Sequence, residues 1–416
     1  MRAMKDSGIP WIGEIPKDWS VVRLKDIANI QRGGSPRPIE EYLSDAGYNW
    51  IKIGDTIKGD KYIHSVGQKI KESGLSKTRM VYRGDLILTN SMSFGEPYIL
   101  NVDGCIHDGW VAFSNLRATD KEFLYYLLSS PLCKMQFDLQ VAGGVVQNLN
   151  VDKISSTYIV QPSLAEQQRI AEFLDRKCAE VDEMIALQEQ IIEELKAYKQ
   201  SVITETVTKG LNPNVPMRDS GIEWIGQIPE HWEVSKVKWE CAIMDYLREP
   251  ISAENRKNEL GLYDYYGASG VIDKIDDYNV DDKVLLIGED GANLVMRNFP
   301  LVYKAEGKFW VNNHAHILKP LANNCYSYMA YMLEAGDYTH YITGSAQPKL
   351  SQDNIKNFII PMPRDYTEQQ AIADYLDEKC ADIDSLIQTK QSKIDSLKEY
   401  KKSIIYEYVT GKREVE

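Results

Sequence analysis

The chain is 416 residues long, 43% hydrophobic, and carries 61 acidic against 48 basic side chains for a net charge of −13. Length and apolar content suffice for two to three domains with real cores. No apolar run is long enough to cross a membrane and the first residues lack a signal peptide's apolar core, so a cytoplasmic protein is expected. The acidic balance argues, on its face, against a nucleic-acid partner. The six cysteines form no CxxC pair and no metal-ligand spacing.

In chain order, the first element is a clip, Asp6–Trp19 (DSGIPWIGEIPKDW), expected to turn at each Ile-Pro and dock on the block after it. Packing is the simpler role for Trp11 and Trp19, a ligand-binding aromatic box the sharper one. Residues 20–163 then mix short β-type runs (Trp50–Ile53, Asp85–Leu88, Ile99–Val102) with Gly-rich turns and a helical run, Lys121–Leu128. Here 16 basic face 15 acidic residues.

Residues 164–210 read as one long helix, with Leu174, Val181, Met184, Ile191, Leu195, Tyr198 and Val202 on one apolar stripe. Free of interior Pro and Gly, it would run about 65 Å at 1.5 Å per residue. A linker leads to a second clip, Asp219–Trp232 (DSGIEWIGQIPEHW), identical to the first at 10 of 14 positions. Trp224 and Trp232 take the places of Trp11 and Trp19.

Residues 233–363 form a second block, with β-type runs at Val284–Ile287, Leu301–Tyr303 and Ile317–Leu318 and a helical run at Tyr326–Leu333. It carries 13 basic and 18 acidic residues, Asp273, Asp276, Asp277, Asp281 and Asp282 among them. The block ends correspond in layout, Gly143–Pro162 with Gly344–Pro363; elsewhere the blocks look unrelated. A second helix comes next, with Leu376, Ile383, Leu386, Ile394, Leu397, Tyr400 and Ile404 on its stripe. Glu166–Thr204 and Glu368–Tyr406 are identical at 19 of 39 positions.

The expected class is α+β: two globular α/β domains separated by two long antiparallel coiled-coil helices, in a pseudo-twofold internal repeat. The domain boundaries expected are 1–163, 164–210, 211–363 and 364–416. The short linker after the first helix turns the second back along it, which puts the globular blocks at opposite ends of a rod.

Catalytic signatures are missing: no P-loop, no GxGxxG after a strand, no HExxH. His314-Ala315-His316 lacks a nearby third ligand, and Glu289-Asp290-Gly291 reads as a turn before an acid/base pair. Gly33-Gly34 beside Arg32, Ser35 and Arg37 either wraps a phosphate or turns a loop. Asn90, Ser91, Gln147 and Asn148 are loop amides and a hydroxyl that suit base edges. In the second block Arg297, Lys304, Lys308, Lys349 and Lys356 are the cations available to one face. The helix repeats also stay identical at polar positions, Gln167 with Gln369, Gln168 with Gln370 and Lys199 with Lys401, as a partner-binding face would require.

Clip and EQQ helix (EQQRIAEFLD at Glu166–Asp175, EQQAIADYLD at Glu368–Asp377), twice in the same order over the whole chain, resemble the specificity subunit of type I restriction–modification enzymes. The resemblance implies a non-catalytic chain with two target-recognition domains, each reading half of an asymmetric bipartite site in double-stranded DNA. The helices would space the half-sites and dock two methyltransferase subunits. No cofactor is expected on this chain: S-adenosylmethionine belongs to the methyltransferase subunits, and ATP and Mg to the partner complex with its restriction subunits. The competing class is a DNA-free ligand-binding scaffold on an antiparallel coiled coil.

Overall fold

In a computed structural model of the chain, residues 2–91, 94–141, 149–252, 254, 256, 261–344 and 346–415 are described. Two compact units emerge, Met1–Gln188 with Ser392–Glu416, and Glu189–Gln391. The long helices are Leu164–Lys209 and Tyr366–Val409, so each unit owns the head of one and the tail of the other.

In the first unit, a mixed sheet holds β1 (Asn29–Arg32), β2 (Tyr62–Ile63), β3 (Leu86–Thr89), β4 (Pro97–Leu100) and β5 (Trp110–Ser114). Their order is β1-β5-β3-β4-β2, antiparallel except for β4 with β2. Strand alternation sends Leu86 and Leu88 into a core shared with Phe123, Leu124 and Leu127 of helix α1 (Lys121–Ser129), and Ile87 into another. A second sheet of short strands, including Tyr48–Ile51 and Gly104–Ile106, closes over that other face.

In the second unit, β6 (Cys241–Ile243), β7 (Tyr263–Gly267), β8 (Gly270–Ile275), β9 (Val280–Gly288), β10 (Val302–Val311) and β11 (Ala315–Pro320) form one sheet in the order β6-β11-β9-β10-β7-β8. Only β10 with β7 is parallel. Helix α2 (Tyr326–Ala335) packs on it as α1 does on the first sheet. Strand for strand, β1-β5-β3-β4-β2 matches β6-β11-β9-β10-β7. The blocks that look unrelated in sequence therefore share a sheet: order and direction survive while the inward apolar residues change identity.

Each clip is a hairpin, Met4–Asp6 with Glu14–Pro16 and Met217–Asp219 with Gln227–Pro229. Its docking surface extends beyond the adjoining block. Ile12, Ile15 and Trp19 share a core with Ile170 and Leu174, and also with Ile404, Tyr408 and Val409 from the chain's last helical turns. Ile225, Ile228 and Trp232 pack likewise with Ile372 and Leu376, and with Ile203 and Val207. Where each helix ends under a clip stands a left-handed glycine, Gly411 (φ +69) against Pro16 and Trp19, and Gly210 (φ +74) against Trp232. A side chain there would strain the backbone and strike the clip.

Helix pairing is antiparallel in the first unit, where the Phe173 ring lies 4.4 Å from Tyr408 and Asp182 accepts from Lys401 at 2.6 Å. In the second, Lys199 meets Asp384 at 2.7 Å. The stripe is narrower than the apolar spacing predicts. Met184, Tyr198, Leu386 and Tyr400 are exposed, and Ile192 is buried more deeply than Ile191. A single partner helix covers only an a/d seam, whereas steps of three and four mark a wider face.

Candidate nucleic-acid interface

At one end of the first sheet the chain leaves β1, leaves β3 and enters β5. The Asn90 N–H donates to the Gly109 carbonyl at 2.9 Å, and the Leu149 N–H to the Asn90 carbonyl at 3.0 Å. The second domain repeats this: the Glu289 N–H donates to the His314 carbonyl at 2.9 Å and the Leu350 N–H to the Glu289 carbonyl at 2.7 Å. Asn90 and Glu289 therefore hold one structural position, as do Gly109 and His314. With both blocks so superposed, Ser91 matches Asp290.

The first edge is cationic around one carboxylate. Ser35 donates its hydroxyl to Asp108 Oδ1 at 2.7 Å, Arg32 Nε donates to the Asp108 carbonyl at 2.8 Å, and Arg37 comes within 3.6 Å of the carboxylate. The Ser35 hydrogen bond and the Arg32 charge hold the Asp108 carboxyl below its usual range against the effect of burial. The Gly33-Gly34 pair serves packing: a Cβ on Gly33 would strike the His107 carbonyl, and one on Gly34 the Lys77 carbonyl. A groove of about 790 Å³ beside it is lined by Arg37, Trp50, His107 and Asp108 among others. The Asn90 side chain is buried with neither amide atom paired among the described residues, and Ser91 is half-buried beside it. Gln147 and Asn148 lie outside the described residues.

The second edge is an ion cluster. Glu289 takes Arg248 on one carboxylate oxygen and Lys349 on the other, the latter at 3.0 Å. Arg248 also reaches Asp245 at 3.3 Å, and buried His316 places Nδ1 2.7 Å from Asp245 and Nε2 2.8 Å from the Leu350 carbonyl. Burial pushes the Glu289 carboxyl up, but the hydrogen bonds from Arg248 and Lys349 outweigh it and leave it below the ordinary value. His314 sits at the edge with Asp290 at 2.7 Å. No group of three or more His, Cys, Asp and Glu side chains could hold a metal among the described residues.

Of the five second-domain cations available to one face, Lys308 lies over the Tyr278 ring, and Lys356 donates to Gln352, which in turn bonds Asp245 at this edge. Lys349 is there. Arg297 instead caps the end of α2, donating to the Glu334 and Gly336 carbonyls, and Lys304 turns to Ser327 and to Asp377 on the long helix. The acidic cluster is elsewhere too. Asp281 and Asp282 begin β9 whereas Glu289 follows its end, about 25 Å away at 3.3 Å per residue. The Asp281–Asp282 pair thus lies away from the edge, whose own carboxylates, Asp245, Glu289 and Asp290, are each paired with a cation or a histidine.

The repeated polar residues of the helices mostly serve the fold. Gln167 and Gln369 are buried, not free for a partner: Gln369 Oε1 accepts the Cys325 N–H at 2.7 Å and its Nε2 donates to the Pro363 carbonyl at 2.8 Å. Gln167 makes the matching bonds to the Asp120 N–H at 2.7 Å and the Pro162 carbonyl at 2.9 Å. Glu166 and Glu368 each accept a clip indole, Trp19 and Trp232, at 3.0 Å. Asp175 and Asp377 take a tyrosine and a lysine from the domain, Tyr126 with Lys61 and Tyr331 with Lys304. Lys199 and Lys401 pair across the helices, and Gln370 bonds Asp374 on its own helix. Gln168 alone stays exposed with no such bond.

A repeated sheet with divergent ends, carried on a repeated frame, defines a two-headed recognition protein. Residues 16–197 and 229–410 each match the type I restriction modification DNA specificity domain, and the chain belongs to that family. It is similar to the type I restriction enzyme MjaIX specificity subunit of Methanocaldococcus jannaschii, 25% identical over 97% of this chain and 96% of that one. The MjaVIII specificity subunit of the same organism is 23% identical, over 96% and 93%. In fold it matches the HsdS subunit of Thermoanaerobacter tengcongensis with a TM-score of 0.52 at 16% identity, covering 96% and 98% of the two chains. A chain from a type I R-M system studied for complex assembly and conformational transition gives 0.72 at 17%, covering 95% and 98%. As a family member the chain is a DNA recognition subunit and not the catalyst. No helix among the described residues is long and apolar enough to cross a membrane.

Proposed function

We propose that residues 1–163 and 211–363 each read one half of an asymmetric bipartite DNA site through the sheet ends described above. The long helices, residues 164–210 and 364–416, set the spacing between the halves. The carrying observation is that sheet and edge backbone repeat while the edge side chains do not: Asn90 faces Glu289 in position, and Ser91 faces Asp290. A pair of readers with different half-sites needs that combination, since phosphate contacts and framework position while side chains specify. Replacing residues 20–163 with the block of another specificity chain should change one half of the motif methylated in cells and leave the other. A change in both halves, or in neither, would overturn the reading.

The helices also dock two methyltransferase subunits, which bring S-adenosylmethionine, and through them the ATP- and Mg-dependent restriction subunits, in the cytoplasm where the DNA is. Exposed apolar residues beside the helix-pairing bonds support docking there: Met184, Leu187 and Tyr400 near Asp182–Lys401, with Leu386 and Tyr198 near Lys199–Asp384. Native mass spectrometry of the co-expressed complex should count two methyltransferase chains per specificity chain, and a Met184→Ser/Tyr400→Ser variant should lose one.

A further inference from the structure

We propose that the second recognition domain holds duplex DNA through an apolar wedge, Val295, Met296 and Phe299 with Tyr246 across the same sheet end, which enters a groove and unstacks a base step. The inference rests on the reading that this edge faces DNA. Val295, Met296 and Phe299 are 63%, 66% and 63% exposed, and Tyr246 is 78% exposed. Large apolar side chains gathered within five residues on a soluble surface mark a contact surface.

The segment that carries them is built, not slack. Leu294 and Leu301 anchor it in the core. The Asn293 amide accepts the Phe299 N–H at 2.9 Å and donates to the Phe299 carbonyl at 3.1 Å. Arg297, left-handed at φ +51, is bound through its guanidinium to the Gly336 carbonyl at 2.6 Å and lies over the Tyr338 ring. A left-handed arginine is strained, and its capping bonds hold it there. The apolar side chains are thereby presented outward without an ordering cost on binding.

Placement names the occupant. Residues 289–301 connect β9 to β10, and Tyr246 follows β6; across the sheet end the polar group of Glu289, Asp290, His314 and Lys349 lies between the two. Of the described residues in the first domain's corresponding connection, Phe94 packs on the core, and that edge offers Arg32 and Arg37, two exposed cations that share the one Asp108 carboxylate. Among the described residues, the cations at the second domain's edge are paired. Arg248 is spent on Asp245, Glu289 and the Asn313 and Ala315 carbonyls, and Lys349 on Glu289. With little free positive charge at this edge, adhesion to a polyanion must come from a source other than phosphate neutralisation. Phe and Met wedges between base steps, and aromatic stacking on bases, are that source. The two halves then differ physically: the first contact is salt-sensitive, the second much less so.

The test uses the specificity chain assembled with its methyltransferase subunits and a duplex bearing the motif that the complex methylates in cells, with 2-aminopurine placed through each half-site. Wild type should brighten the probe in the second half-site only. Phe299→Ser combined with Met296→Ser should abolish that signal and weaken binding by about ten- to hundredfold, with the melting temperature and the methyltransferase count unchanged. Phe299→Tyr should restore most of the binding. An unchanged affinity and probe signal would overturn the wedge. A loss of methyltransferase chains in the variant would overturn it too, by making this surface a protein contact. Wild-type complex that binds no duplex would instead bring down the DNA-reading assignment itself.

Discussion

Gln369→Ala is the sharpest test of how the helix repeat is used, because the same residue reads as a docking group in sequence and as a clasp in structure. The side chain is buried and makes three bonds: Oε1 to the Cys325 N–H at 2.7 Å, Nε2 to the Pro363 carbonyl at 2.8 Å and to Asn324 Oδ1 at 3.4 Å. Cys325 caps the start of α2 and Pro363 follows the strand Ile359–Met362 that leads to the long helix, so the amide ties domain to helix. Truncation unpairs the Cys325 N–H and the Pro363 carbonyl, besides the longer bond to Asn324; at about 1–3 kcal/mol for each of the two short bonds the loss is roughly 2–6 kcal/mol. Gln168→Ala, exposed and unbonded, should stay within about 0.5 kcal/mol. Urea unfolding followed by tryptophan fluorescence would give the midpoints, with hydrogen exchange at the Cys325 amide reporting the local bond. Equal midpoints for the two variants, with the methyltransferase lost only in Gln369→Ala, would refute the clasp and restore the docking role.

Gly411→Ala should destabilise the first unit by at least about 1 kcal/mol, since φ is +69 and the new Cβ meets Pro16, and a thermal melt would register it. Burial pushes the Asp245 carboxyl up, and the hydrogen bond and charge of His316, with Ile317 N–H and Arg248, bring it below its ordinary value. Its stabilisation is therefore present above the unfolded carboxyl pKa and lost as pH falls through the lower folded one; Asp245→Asn should flatten that acid limb in pH-dependent unfolding. Glu334 has the opposite sign, because burial raises its pKa despite the Leu301 and Val302 N–H groups it accepts at 2.9 and 2.7 Å. Its contribution is full below the unfolded pKa and declines as pH rises through the folded one, so Glu334→Gln should gain stability relative to wild type as pH increases through that range.

The helices, the clips and the duplication were legible in the residues themselves. Helix periodicity and direct repetition are local properties, and 164–210 without Pro or Gly before its last residue leaves the backbone few alternatives. The short helices were legible for the same reason: Lys121–Leu128 and Tyr326–Leu333 lie within Lys121–Ser129 and Tyr326–Ala335. Strands were found where apolar runs are dense and cut short where they are not. Val302–Val311 continues through Gly307 and two lysines because β9 pairs with it along its length, a gain no window of sequence contains.

The tertiary structure alone decided which parts of the repeat do which work. Gln167 and Lys199 are equally polar in sequence, yet one is buried as a clasp and the other pairs across helices, because burial depends on what packs against a helix face and not on the face. Trp19 rests on Gly411, nearly the whole chain away, so the core that holds it is unreadable from its neighbours. Asn90 and Glu289 share a position through backbone hydrogen bonds that ignore side-chain identity, which is why two domains with unlike sequences carry the same edge. What differs at that edge, a buried amide against an ion-paired carboxylate and an outward Phe299, is set by residues brought together from three separate connections of the sheet.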